Sequence, residues 1–140
     1  MWSWKLFALG SALFAGVTAV LAKIGVKDIP SNVATLIRTV VILIFLAAVV
    51  YSRKEWRPLG SWESKSLVFL VLSGLATGLS WMCYYRALQL GPASLVAPLD
   101  KLSLVVAIVL AVLVLGERLT LWHWAGATCV TVGVLILAIK

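Results

Sequence analysis

Charged side chains are scarce in this chain, and acids are scarcer than bases. Of 140 residues only 12% are charged, five Asp and Glu against twelve Lys and Arg, for a formal net charge of +7. A soluble domain carries about a quarter charged residues, so the polar shell that would cover an apolar core in water is missing. Histidine occurs once, at His123, and no second ligand lies near it to make a metal site. No glycine-rich phosphate loop, metal-ligand spacing or pair of catalytic carboxylates is present. The sequence therefore gives no support to an enzyme and calls for no cofactor and no metal. The two cysteines, Cys83 and Cys129, fall inside apolar runs and read as small packing residues.

What the chain does have is apolar length. Hydrophobic residues make up 63% of it, with a mean hydropathy of +1.10. They collect in five segments, about residues 4–22, 32–51, 67–88, 95–115 and 121–139. Each approaches the ~20 residues that span ~30 Å of hydrocarbon. Isolated strands would leave backbone groups unpaired in lipid, so the segments are predicted to be helices. The expectation is an all-α integral membrane protein with five transmembrane helices, in contact with membrane lipids. The first segment is too long for a signal-peptide core of ~7–15 residues and is expected to remain as a span.

Local signals set the boundaries. Pro30 precedes Ser31 and Asn32, a capping pair for the second helix. Gly91 and Pro92 break the chain after the third, and Gly116, Glu117 and Arg118 end the fourth. Glu117, at a helix C-terminus, opposes the dipole. Trp2, Trp4, Trp56, Trp62, Trp122 and Trp124 cluster at helix ends as interfacial tryptophans do, and His123 among them reads as interfacial. Small residues mark faces for close helix approach: Gly16 with Ala12, Gly74 with Gly78, and Gly133 with Cys129 and Ala125. Packing within one subunit is the first expectation for these, a dimer seam the second.

Basic residues sit at segment ends and in one loop rather than in a stripe interleaved with aromatics, so nucleic acid is not an expected partner. Five spans put the termini on opposite sides. Lys5, Arg53, Lys54, Arg57, Lys65 and Arg118 share the N-terminal side, and Lys23, Lys27, Arg86 and Lys140 the other. The bias toward a cytoplasmic N-terminus is weak.

Ionisable residues within a span cost roughly 2.5–3.5 kcal/mol each on insertion scales and are functional candidates. Arg38 lies six residues into the second predicted helix, and Asp100 and Lys101 lie five and six into the fourth, roughly 8–9 Å deep. With Arg86 and Lys23 near helix ends, they share the membrane face opposite the N-terminus. Four cations and one anion predict a net positive vestibule for an anionic or zwitterionic substrate, with Asp100 as a proton carrier. Two bland alternatives stand beside this: Lys23 and Arg86 snorkelling to the headgroups, and an Arg38–Asp100 pair that only fixes helix register. Tyr85 and Gln89, with Trp81 and Tyr84, add aromatic and polar surface nearby. Pro98 either kinks the fourth helix or sits harmlessly in its first turn.

The run "ALQLGPASLVAPLDKLSLVVAIVLAVLVLGERLTLWHWAGATCVTVGVLILA" resembles the C-terminal part of an EamA domain, the repeat unit of the drug/metabolite transporter superfamily. The opening "ALFAGVTAVLAKIGVKDIPSNVATLIRTVVILI" is similar to the start of that domain, so the resemblance covers residues 1–140. It implies one EamA-type unit, half of a ten-helix inverted-repeat transporter. "APLDKLS" departs from the common pattern, where many members are uncharged. The resemblance implies a small secondary transporter of the bacterial cytoplasmic membrane, of a class in which export is more usual than import. The excess of vestibule cations points to a small anionic or zwitterionic metabolite as cargo, and the single vestibule of one unit to a homodimer, with an antiparallel arrangement as one form of it. Two alternatives follow it: a flippase for a polyprenyl-phosphate-linked or other lipid carrier, and a non-transporting accessory subunit of a membrane complex.

Overall fold

The computed structural model describes residues 3–58 and 61–139, in which all regular structure is helical. Trp2 and Lys140, assigned above to an interface and to the charge count, lie outside the described residues. The helices are α1 (Ser3–Gly25), α2 (Ser31–Ser52), α3 (Ser64–Leu90), α4 (Ala93–Asp100), α5 (Ser103–Leu115) and α6 (Leu121–Ala138). Among the described residues five spans are long and apolar enough to cross a membrane, with α4 and α5 together forming the fourth. Large apolar side chains such as Phe7, Leu43, Leu70, Leu113 and Ile136 are exposed along these spans. In water that would be an aggregating surface; in hydrocarbon it is the solvated one.

Ala22–Leu90 form one compact unit, and the earlier part of α1 with α4, α5 and α6 forms another. In the first, α2 packs on α3; in the second, α4 and α5 pack on α6. Among the described residues the buried ones are few and mostly small: Ala19, Ala22, Val26, Thr35, Tyr85, Leu88, Ala127 and Val134.

The fourth predicted helix is broken. α4 begins at Ala93, so Pro98 is its sixth residue and lies outside the first turn. Proline has no N–H to give to the residue four before it, and α4 ends two residues later. Over the junction the bonding tightens. Lys101 N–H goes to Pro98 O (2.9 Å), Leu102 N–H to Leu99 O (3.0 Å) and Leu104 N–H to Lys101 O (3.0 Å). These are three-residue steps of the 3₁₀ kind.

Helix ends also differ from the sequence reading. Ser31 is the first residue of α2 rather than its cap, with extended Pro30 in the cap position and no capping side chain. The Ser31 carbonyl instead accepts from Thr35 Oγ1 (2.9 Å), and the Thr35 carbonyl from Thr39 Oγ1 (2.8 Å). His123 does more than sit at an interface: its Nδ1 accepts from Thr120 N–H (3.2 Å) and lies 2.7 Å from Thr120 Oγ1, capping α6. Cys83 and Cys129 are exposed rather than packed. A Cβ at Gly16, Gly74, Gly78 or Gly133 would meet no atom within 4 Å, so these small-residue faces are open.

α2 closes with Lys54 N–H on Tyr51 O and Glu55 N–H on Val50 O (both 3.1 Å), the paired bonds of a Schellman end. That end needs a left-handed residue, supplied here by Lys54 at φ 55°. After α5 the same conformation falls on Gly116, at φ 68°. Left-handed backbone costs a residue with a Cβ about 1 kcal/mol or more. Lys54→Gly is therefore expected to raise stability by about 1 kcal/mol and Gly116→Ala to lower it by a similar amount. Unfolding in mixed micelles by denaturant titration reads both.

Candidate functional site

Within the Ala22–Leu90 unit, polar and aromatic side chains gather where the end of α1, the start of α2 and the end of α3 meet. Arg38 is the eighth residue of α2, roughly 10 Å along the helix axis from its start. Its guanidinium carbon lies 4.0 Å from the centre of the Trp81 ring and 5.8 Å from that of Tyr85. Trp81 and Tyr85 stand one helical turn apart on α3, so they present successive rings to one neighbour. Tyr85 is buried, and Tyr84 meets it edge-on at 6.3 Å and 67°. A cation over an indole face is held by the ring quadrupole, more strongly where water is excluded. Among the described residues no hydrogen-bond acceptor or carboxylate engages the Arg38 guanidinium. The rings hold its face while its planar fork of N–H donors stays available.

Gln89 behaves as a fastener. Its Nε2 donates to the carbonyls of Val26 (3.3 Å) and Ile29 (2.8 Å), and its Oε1 accepts from Arg86 Nη1 (3.1 Å). Both amide protons are thus used on the loop between α1 and α2. Lys23 completes the connection. Its ammonium donates to the Leu88 carbonyl. Leu88 is one of the last residues of α3, whose carbonyls have no partner within the helix, and a cation there also offsets the negative helix end.

Asp100 and Lys101 belong to the other unit, at the junction of α4 and α5. Lys101 Nζ lies 3.5 Å from Asp100 Oδ2, with the side chains 57% and 37% exposed respectively. The carboxylate is thus paired with its own sequence neighbour. Of the residues singled out from sequence, Arg38 meets Tyr85, and Arg86 meets Gln89; Trp81 joins the first pair as the platform for Arg38. The signal for Trp81 was present: it lies four residues before Tyr85 and away from the helix ends where the other tryptophans sit.

The EamA-like transporter family matches residues 2–139, almost the full length. The chain belongs to that family. It is a multi-pass membrane protein of transporter type, and its spans contact lipid. It is 52% identical to an uncharacterized transporter of Sinorhizobium sp, over 98% of this chain and 97% of that one. It is 27% identical to an uncharacterized protein of Methanocaldococcus jannaschii, over 92% of this chain and 91% of the other. A third similarity, 30% over 52% of this chain and 64% of the other, is to a probable 4-amino-4-deoxy-L-arabinose-phosphoundecaprenol flippase subunit of Yersinia pestis. No solved structure matches the chain.

The fastening has a measurable signature. Gln89→Leu leaves two loop carbonyls without their donors and is expected to cost about 1–3 kcal/mol. Hydrogen exchange over residues 24–30 should quicken while α6 keeps its protection. Gln89→Glu preserves shape but has no protons to give at neutral pH, and should behave like Gln89→Leu.

Proposed function

We propose that this chain exports a small anionic or zwitterionic metabolite across a bacterial cytoplasmic membrane, working as a homodimer. The observation that carries the reading is Arg38: a permanent cation within a span, stacked on Trp81 at 4.0 Å and engaged by no carboxylate among the described residues. An unneutralised guanidinium at that depth is costly unless an anion completes it, and its fork geometry suits a carboxylate or phosphate held by two parallel hydrogen bonds. In this reading Arg38 binds the anionic group of the cargo, while Trp81 and Tyr85 position it. Gln89 and Arg86 hold the surrounding loop. Asp100, beside Lys101 at a break in the fourth span, is the proton-carrying group. Broken helices at membrane depth are a recurrent site for such groups in secondary transporters.

A single five-helix unit has one vestibule, whereas alternating access needs a path open in turn to both sides. Two copies of opposite orientation would supply one vestibule to each face, and the weak charge bias permits insertion both ways. The open faces at Gly16, Gly74, Gly78 and Gly133 offer room for a second copy to approach.

A second reading is a flippase, or a subunit of one, for a phosphate-linked lipid carrier. The similarity to the Yersinia flippase subunit favours it, and Arg38 would suit a lipid phosphate equally well. The same chemistry at Arg38 serves both readings; they differ in whether the cargo carries a tail.

Counterflow in proteoliposomes, with a panel of labelled amino acids, carboxylates and short-chain polyprenyl phosphates, separates them. Arg38→Gln is expected to lower flux at least about 100-fold, and Arg38→Lys to recover little of it, because an ammonium lacks the planar fork. Trp81→Leu should raise KM more than it lowers kcat. Undiminished flux in Arg38→Gln would sink the anion reading. Activity restricted to the polyprenyl phosphates would replace the metabolite with the lipid carrier.

A further inference from the structure

Beside Gln89 lies a second feature, a hollow of about 500 Å³ lined by Lys23, Ile24, Val26, Lys27, Leu88 and Gln89. All six residues belong to the Ala22–Leu90 unit. Its frame is fixed by bonds already described: Lys23 on the Leu88 carbonyl, and Gln89 on the carbonyls of Val26 and Ile29. The negative end of α3 would repel an anion, but Lys23 covers it. Lys27 is exposed, and among the described residues no hydrogen bond or ion pair holds its ammonium. Arg86 brings a third cation to the same corner through Gln89 Oε1. Asp28 is the acid of this loop; it is exposed and does not line the hollow.

We infer that this hollow docks a phosphate group, with Lys27 as its principal ligand, at a site separate from Arg38. Lys23 lies in the last turn of α1, and Leu88 and Gln89 in the last turn of α3, the level at which a bilayer carries its phosphates. Arg38 lies about two turns into α2 from its start. Two compact, hydratable ammonium groups suit an oxyanion with several acceptor oxygens, which needs no planar fork. The volume accommodates a glycerophosphate-sized group, and Ile24, Val26 and Leu88 give it an apolar wall. Such a phosphate comes either from a lipid headgroup or from a soluble phosphorylated metabolite. Interfacial basic pockets of this kind recognise phosphate headgroups in other membrane proteins. The site stands whether or not Arg38 carries cargo.

Two probes distinguish the sources, both with the full chain. Retention of phosphatidylglycerol on the solubilised protein is counted by native mass spectrometry. Binding of glycerol 3-phosphate is followed by phosphorus NMR in nanodiscs of phosphatidylcholine alone. At least one probe binds, and Lys27→Gln weakens it about tenfold, the loss of one charge-assisted hydrogen bond, while Lys27→Arg retains it. Lys54→Gln, in the loop beyond α2, leaves it unchanged, and Arg38→Gln does not reproduce the loss seen in Lys27→Gln. The probe that depends on Lys27 names the source. The inference is overturned if neither probe binds, if Lys27→Gln binds as the parent does, or if Lys54→Gln loses as much. Equal loss in Arg38→Gln would merge the two sites and overturn their separation. Because the readout is binding and not flux, failure here is distinct from failure of the transport reading.

Discussion

Hydrocarbon offers a backbone no hydrogen bonds, so every peptide group in a span must find its partner within the protein. Long helices meet that demand along most of this chain; its informative places are where they stop. After α1 the chain turns within five residues to start α2, and the loop carbonyls of Val26 and Ile29 are met by the Gln89 amide. At the end of α3 a terminal carbonyl is met by Lys23. Inside the fourth span, where Pro98 withholds a donor, the bonds shorten to three-residue steps. Polar side chains at these places therefore either complete the backbone or keep their donors available. Gln89 is committed to the backbone, and Arg38 is stacked on rings with its donors unengaged.

This division changes how a cluster of intramembrane charges is weighed. Lys23, Arg38, Arg86 and Lys101 look alike in the sequence, as cations close to one face. In the structure Lys23 caps a helix, Arg86 braces an amide and Lys101 pairs with Asp100. Arg38 alone among these four rests on aromatic faces. Cation–π contact leaves the edge of a guanidinium open while fixing its plane, so it orients the group without satisfying it.

Five helical spans were legible because a 140-residue chain that is 63% apolar has no other way to satisfy its backbone in lipid. Family membership was legible too, from "LGERLT" and the run that follows it. The break after Asp100 was only half visible: Pro98 was noticed, but its effect depended on whether the helix began at Ala93 or later, which propensity does not decide. The cap expected at Ser31 failed because Pro30 already holds the extended conformation there. Neither the commitment of Gln89 nor the stacking of Arg38 had a local signature. Gln89 meets residues sixty and sixty-three positions earlier, and such pairings come from tertiary packing, which periodicity does not encode.

The short 3₁₀ passage between α4 and α5 also alters the angular bookkeeping of the fourth span. A 3₁₀ turn advances about 120° per residue against about 100° in an α-helix, so a few residues of it rotate everything downstream by tens of degrees. The positions of α5 are consequently out of phase with a continuous helical wheel drawn from Ala93. Any map of lipid-facing and pathway-facing positions along this span has two phases, with the shift at the one place where the span carries charge.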